Sequence, residues 1–484
     1  MLAKLIIKDE VNVKIEGLEL STRKNLVSKY KFEVPGARFQ PSVRLGRWDG
    51  KVSFFQLGGS TYINLLPEII PYLDSHGYDI SVEDLRSYRT SFEFNKITAD
   101  TFAHHVWPDK HPKAGEQIWF RDYQVEIINN FLVNPQSIQE VATGAGKTLI
   151  TAALSYSIEQ YGRSIVIVPN KSLVTQTETD YRNLGLDVGV YYGDRKEFNH
   201  THTICTWQSL NVLLKNTQSS EADITIQDFL EGVVCVIVDE VHMAKADALK
   251  TLLSGVMSHV PIRWGLTGTI PKEQYEFMSL YCTLGSVIGK LTASQLQDQG
   301  VLAQCHVNVV QLVDHAEYTN YQSELKFLLE NQNRLDYIGK LISTIADSGN
   351  TLILIDRIAA GKALAERLPD SVFISSTTKV TERKEHYDEV AEASNKIIIA
   401  TYGVAAVGIN IPRIFNLVLI EPGKSFVRVI QSIGRGIRKA EDKEHVQIWD
   451  ITSSCKFAKR HLTKRKQFYK DANYPFSVEK AEWK

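Results

Sequence analysis

The chain has 484 residues, 43% hydrophobic and 23% charged, with a formal net charge of −1. That apolar share builds real cores and excludes a disordered chain, and the length corresponds to about three domains. No apolar run approaches the length that spans a bilayer, which excludes a membrane span. The small net charge hides an asymmetry. Residues 23–51 carry eight Lys/Arg (Arg23, Lys24, Lys29, Lys31, Arg38, Arg44, Arg47, Lys51) against Glu33 and Asp49, and residues 456–484 carry nine against Asp471, Glu479 and Glu482. Basic ends around an acidic middle are the electrostatic footprint of a nucleic-acid binder.

Taken in chain order, residues 1–17 alternate apolar and polar after a brief apolar run, with Val11, Val13 and Ile15 on one face. This predicts a strand and not a signal peptide. A turn at Gly58-Gly59 separates two strand-like runs, and residues 65–76 read as a helix, so residues 1–95 are expected to form a small α/β unit. Within it, Arg38-Phe39-Gln40-Pro41-Ser42-Val43-Arg44-Leu45-Gly46-Arg47-Trp48 interleaves cations with aromatics. Arg38, Arg44 and Arg47 are expected to contact DNA phosphates. Phe39 and Trp48 either stack on an exposed base or fill the core, and the core is the preferred reading.

Next comes Val141-Ala142-Thr143-Gly144-Ala145-Gly146-Lys147-Thr148, between a strand-like run at 138–141 and a helix-like run at 149–158. Two glycines let the backbone wrap a polyphosphate, Lys147 reaches its terminal phosphates, and the Thr148 hydroxyl takes one position on Mg²⁺. The strict pattern wants glycine where Val141 stands. Further on, Val233 to Val238 run straight into Asp239 and Glu240, as in a strand buried on both faces that ends at the carboxyl edge of a parallel sheet. Asp239 is placed to bind Mg²⁺ through its water shell, and Glu240 to polarise the attacking water.

Strand-like runs at 164–168, 203–206, 233–238 and 263–266 assign residues 96–303 to one parallel-sheet domain, and runs at 351–355, 396–400, 417–420 and 445–449 assign 304–455 to a second. Residues 456–484 read as a basic extension. The five cysteines are odd in number, lack C-x-x-C spacing, and read as reduced core residues.

In this order the motifs resemble the superfamily 2 helicases of the Asp-Glu-x-His type, whose name motif is matched by Asp239-Glu240-Val241-His242. Arg121-Asp122-Tyr123-Gln124 sits where the family keeps its adenine-reading glutamine. Val168-Pro169-Asn170-Lys171 and Thr206-Trp207-Gln208-Ser209 resemble its strand-binding motifs. Leu266-Thr267-Gly268-Thr269 resembles the coupling motif, although Gly-Thr replaces the commoner Ala-Thr. Ala400-Thr401-Tyr402-Gly403 through Asn410-Ile411-Pro412 resembles the fifth motif, with Asn410 where many relatives carry Asp. Gln431-Ser432-Ile433-Gly434-Arg435-Gly436-Ile437-Arg438 matches the sixth.

The resemblance implies two RecA-like parallel-sheet motor domains in tandem, preceded by the small α/β domain. It implies nucleotide contacts from Gln124, Thr143, Gly144, Ala145, Gly146, Lys147, Thr148, Asp239 and Gln431, with Mg²⁺ on Thr148 and Asp239. Catalysis would rest on Lys147 and Glu240, with Arg435 and Arg438 as arginine fingers, expected three apart on one face of a helix. Pro169, Asn170, Thr206 and Thr401 are implied strand contacts, and His242, Thr267 and Thr269 coupling residues. The short chain, small leading domain and basic tail are most similar to phage recombination and repair helicases. The expectation is a cytoplasmic, monomeric, ATP-dependent DNA helicase acting on single-stranded and branched DNA, forks or RNA–DNA hybrids. The alternatives are an RNA helicase and an ATP-gated annealing or binding protein.

Overall fold

The computed structural model describes residues 1–484 except 88–90, 110, 112, 220–223, 242–245, 406–410, 412, 426–428, 430, 431, 435, 439, 441 and 484. Among the described residues three large sheets organise it, beside a two-stranded antiparallel pair of Lys31–Glu33 and Lys51–Ser53. The first has the order Ser60–Tyr62, Asn12–Glu16, Leu2–Ile7, Asp79–Asp84; its inner hairpin is antiparallel and its last pair parallel. The stretch 1–17, read above as one strand, is therefore two. Asp9 reverses the chain, its Oδ1 accepting the Val11 and Asn12 N–H groups at 2.9 and 2.7 Å, an Asx turn that period-2 alternation does not reveal. Helix Leu66–Ser75 matches the predicted run and buries Ile69 and Leu73.

This small sheet does not close its core alone. Leu5, Val13, Ile15, Phe54 and Leu73 share one buried cluster with Tyr275 and Cys282 from the helix Gln274–Leu284. The Phe54 and Tyr275 rings lie 5.7 Å apart. Asn64 Nδ2 donates to the Tyr281 carbonyl at 3.1 Å.

The second sheet runs Arg195–Lys196, Val188–Tyr192, His202–Thr206, Arg163–Val168, Val233–Asp239, Ile262–Thr267, Gln136–Val141, Ser286–Leu291. From Val188–Tyr192 to Gln136–Val141 every pair is parallel. All seven residues of Val233–Asp239 are buried, as its unbroken apolar run requires.

The third sheet runs Ser371–Ile374, Ile397–Thr401, Thr351–Ile355, Asn416–Ile420, His445–Ser453, Gln304–Leu312, Phe476–Ala481, parallel throughout. The basic segment after residue 455 contributes helix Lys456–Asp471 and the edge strand Phe476–Ala481. Its helix is pinned by Arg465, whose guanidinium grips Asp450 at 2.8 and 2.9 Å. Tyr469 donates to the same carboxylate at 2.6 Å.

The chain divides into two units, residues 1–141 with 146–290, and residues 142–145 with 291–484. Among the described residues no helix is long and apolar enough to cross a membrane.

Candidate nucleotide site and strand-binding edge

The loop after strand Gln136–Val141 leads into helix Lys147–Ile158. Gly144 (φ 93°) and Gly146 (φ 81°) adopt the left-handed backbone that a Cβ disfavours. At Gly146 the requirement is double, because a Cβ there would come within 2.6 Å of Gln124 Nε2. Gln124 thus packs directly beside the turn, buried, its Oε1 accepting the Arg121 N–H at 2.9 Å. Thr143 and Gly144 are half-buried and Ala145 is buried.

Lys147 is buried and its Nζ lies 2.9 Å from Glu240 Oε1 and 3.3 Å from the Val141 carbonyl. Glu240 follows the strand end at Asp239 with φ 51°, a left-handed conformation unusual for a residue with a side chain. Its N–H donates to Asp239 Oδ1 at 2.9 Å, and its Oε2 accepts the Gly268 N–H at 3.3 Å. Burial, then the neighbouring Glu240 carboxylate, push the Asp239 carboxyl up against the pull of Lys147. Thr267 and Thr269 are both buried beside this pair. Thr267 Oγ1 donates to the Thr269 carbonyl at 2.8 Å, while Thr269 Oγ1 is buried with no hydrogen-bond partner among the described residues.

One residue of this site carries no sequence motif. Asp180, on helix Lys171–Asn183, accepts the hydroxyl of Thr148. Burial pushes its carboxyl up to about 6, the Thr148 hydrogen bond opposing. Nothing in the helical spacing singles out Asp180, because its partner lies 32 residues away.

The topology explains why these groups meet. Strands Val233–Asp239, Ile262–Thr267 and Gln136–Val141 are consecutive neighbours, so Asp239, Thr267 and Val141 share one carboxyl edge. Strands Arg163–Val168 and His202–Thr206 continue that edge, with Val168 paired to Thr206. There Asn170 Oδ1 accepts the Leu173 N–H at 3.0 Å, and Thr206 Oγ1 accepts the Ser209 N–H at 3.3 Å. Asn170 and Thr206, two of the four expected strand contacts, are therefore helix caps at this edge. Gln208 Nε2 donates to the Pro169 carbonyl at 3.3 Å and ties the two segments together.

In the third sheet Thr401 ends strand Ile397–Thr401 and is half-buried. The expectation of two arginines on one helix face is corrected for Arg438. The helical path ends at Gly436, and Arg438 forms an antiparallel bridge with Leu302. Lys443 fixes that exit, its Nζ donating to the Gly436 and Arg438 carbonyls at 2.6 and 2.7 Å. His242, Gln431, Arg435 and Asn410 lie outside the described residues.

In the leading domain Arg38, Arg44 and Arg47 are all exposed. The core reading holds for Trp48, which packs against the buried cluster and donates to the Lys51 carbonyl at 2.8 Å. It fails for Phe39, which is 62% exposed with the Arg38 guanidinium 4.8 Å above its ring. A short turn at residues 37–39 turns Phe39 outward, a local geometry that composition does not encode.

Three families match in sequence order: "DNA helicase UvsW, N-terminal" over residues 3–83, "Type III restriction enzyme, res subunit" over 117–272, and "Helicase conserved C-terminal domain" over 333–440. The ATP-dependent DNA helicase uvsW of Enterobacteria phage T4 is 26% identical, with 96% of this chain and 93% of that protein aligned. The DNA 3'-5' helicase XPB of Kineococcus radiotolerans is 23% identical over 75% of this chain and 65% of its own length. Among solved structures, the ATP-dependent Type ISP restriction-modification enzyme LlaBIII bound to DNA superposes with a TM-score of 0.56 at 14% identity, covering 87% of this chain and 36% of that one, which supports the fold alone. With an N-terminal, a central and a C-terminal match in this order, the chain is similar to DNA helicases over most of its length and shares the order of matched parts with the T4 uvsW helicase.

Proposed function

We propose that the chain hydrolyses ATP with Mg²⁺ and spends the cycle remodelling branched DNA, forks or RNA–DNA hybrids as a monomer. The observation that carries this reading is the single carboxyl edge on which the Lys147–Glu240 pair, at 2.9 Å, adjoins the Pro169, Asn170 and Thr206 segments. DNA as the substrate is supported by the name of the T4 relative.

The residues present fit Mg²⁺. Among the described residues no group of three or more His, Cys, Asp or Glu is arranged to hold a metal alone. Mg²⁺ typically binds through one or two carboxylates together with substrate phosphates. Thr148 and Asp239 would hold it, and it would neutralise charge on the transferred phosphate. Lys147 exchanges Glu240 for the terminal phosphates, and Glu240, released, orients the attacking water. Thr143, Gly144, Ala145 and Gly146 offer backbone to the phosphates, and Gln124 reads the adenine edge. Arg435 and Arg438 neutralise the phosphate as it transfers, with Gln431 beside the nucleotide. Thr267, Thr269 and His242 relay nucleotide state to the strand contacts at Pro169, Asn170, Thr206 and Thr401. Residues 1–95 act as the DNA-binding domain through Arg38, Arg44 and Arg47, residues 96–303 and 304–455 as the two motors, and 456–484 as a basic extension.

The test is ATPase and unwinding measured side by side on single-stranded DNA, RNA, forked, four-way and RNA–DNA hybrid substrates. Stimulation by forked and four-way DNA with ATP-dependent strand separation is the expected result. Preferential stimulation by RNA would make the chain an RNA helicase, and strand exchange without hydrolysis would make it an annealing protein.

A further inference from the structure

Helix Lys171–Asn183 brings a carboxylate to Thr148 that has no part in the chemistry assigned above. Thr148 is the second residue of helix Lys147–Ile158 and is buried. A threonine in a helix divides between two side-chain rotamers. Here Asp180 Oδ2 makes the choice, because it accepts the Thr148 hydroxyl proton. Asp239, the carboxylate at the strand end, takes the Glu240 N–H at 2.9 Å instead.

The neighbours of Asp180 on its own helix are firmly held. Tyr181 is buried and donates to the Thr151 carbonyl at 3.1 Å, with Ser155 Oγ 2.6 Å from its hydroxyl. Thr151 Oγ1 in turn donates to the Thr148 carbonyl at 2.7 Å. On the other side Glu178 is gripped by Arg195 at 2.8 Å and by Arg182 at 2.9 Å. Tyr181 therefore sets the register of the two helices without help from the Asp180 carboxylate. Asp180 also differs from Glu178 in its surroundings. Among the described residues it pairs with no Lys or Arg, and its hydrogen bond comes from Thr148. A half-buried carboxylate kept away from the chain's own cations is costly for packing alone.

A hydroxyl carries one proton and two lone pairs, and an ionised carboxylate only accepts. With its proton committed to Asp180, Thr148 Oγ1 has only lone pairs left to offer. That is the form in which an oxygen ligates a hard cation such as Mg²⁺. A partner that hydrogen-bonds a metal ligand from behind orients it and raises its basicity. We propose that Asp180 is a positioning residue for Mg²⁺, acting through Thr148 by holding its hydroxyl proton. The role deepens the proposed function and rests on Thr148 being a Mg²⁺ ligand.

The experiment uses the full chain, a fluorescent non-hydrolysable ATP analogue and MgCl2. Analogue binding is followed by fluorescence across a Mg²⁺ titration and again in EDTA. Asp180→Ala should raise the Mg²⁺ midpoint by about 10- to 100-fold, the scale for losing a partner behind a metal ligand, and weaken binding in EDTA far less. In a Thr148→Ala background the same change should move the midpoint no further, because the hydroxyl it serves is gone. Asp180→Asn keeps the shape and an acceptor oxygen but not the charge. It should shift the midpoint in the same direction by less, and it carries the test if Asp180→Ala lowers the thermal midpoint. An unchanged Mg²⁺ midpoint in the variants that fold overturns the proposal. So does equal weakening with and without Mg²⁺, the mark of a bond that only ties the two helices. Both results leave the ATP site standing. A parent chain that binds the analogue no better with Mg²⁺ than in EDTA would instead remove Thr148 as a ligand, and this role with it.

Discussion

Lys147 Nζ and Glu240 Oε1 lie 2.9 Å apart, both largely withdrawn from water, so the loop cation and the carboxylate that follows Asp239 neutralise each other. The pair holds both groups near the positions they need. The carboxylate also accepts the Gly268 N–H at 3.3 Å, which ties it to the segment between Thr267 and Thr269. In the proposed function, nucleotide binding is an exchange of partners at this pair.

Lys147→Ala should therefore lower ATP turnover by about 10²- to 10³-fold or more, the scale for losing one preorganised charge donor at a reacting phosphate. DNA binding should persist, because strand affinity is spread over other segments. Steady-state ATPase beside anisotropy on forked DNA checks both halves. Near wild-type hydrolysis would mean that the 141–148 loop is not the cradle.

Arg435→Ala and Arg438→Ala should each lower kcat by about 10³-fold, in line with arginine fingers, with a smaller change in nucleotide affinity. Single-turnover kinetics with bound ATP separates chemistry from binding. Collapse of nucleotide binding with normal turnover of what remains bound would make these residues ground-state contacts.

Lys443 gives the site a pH dependence with a defined sign. Burial, then the adjacent Arg438 charge, lower its ammonium to about 7 from 10.5. The unfolded chain therefore binds more protons than the folded one between about pH 7 and 10.5, so this residue makes stability rise with pH across that window. The limiting slope is about 1.4 kcal/mol per pH unit for one group. Lys443→Gln should flatten the difference between denaturation midpoints at pH 7 and pH 9 relative to the parent. Identical pH profiles for parent and variant would show that Lys443 keeps its ordinary ammonium.

Legibility differed by element for physical reasons. Fully buried parallel strands announce themselves, because two covered faces demand an unbroken apolar run, and Val233–Asp239 is the clearest case. The turn at Gly146 was legible because its left-handed backbone asks for glycine, whereas its contact with Gln124 belongs to the tertiary fold. Asp180 was not, because a carboxylate that meets Thr148 across 32 residues leaves no periodic trace. The Asp9 reversal and the exit of Arg438 from its helix were missed because a side chain, Asp9 in one case and Lys443 in the other, redirects the backbone locally. The character of the 456–484 segment was half legible. Its charge was plain, but the burial of Arg465 on Asp450 belongs to the tertiary fold.

The leading domain supplies the last prediction, and its packing decides how to test it. No helicase motif precedes Arg121, which invites deletion of residues 1–95. Yet Phe54, Leu5 and Leu73 share a buried cluster with Tyr275 and Cys282, so deletion would expose apolar surface on the first motor and confuse loss of contact with loss of fold. Substitution at the exposed residues avoids this. Reversing Arg38, Arg44 and Arg47 to Glu should flatten the salt dependence of forked-DNA binding by about 0.7 to 0.9 in log–log slope for each phosphate contact removed. Binding to plain single strands should fall less, because a fork offers duplex arms for this domain to hold. Phe39→Ala, which removes a 62% exposed ring beneath Arg38, should weaken fork binding with the slope unchanged. Circular dichroism verifies the fold of each variant. An unchanged fork slope in the triple variant would leave these arginines as a solvated face, and an unchanged affinity for Phe39→Ala would leave its ring as a support for Arg38.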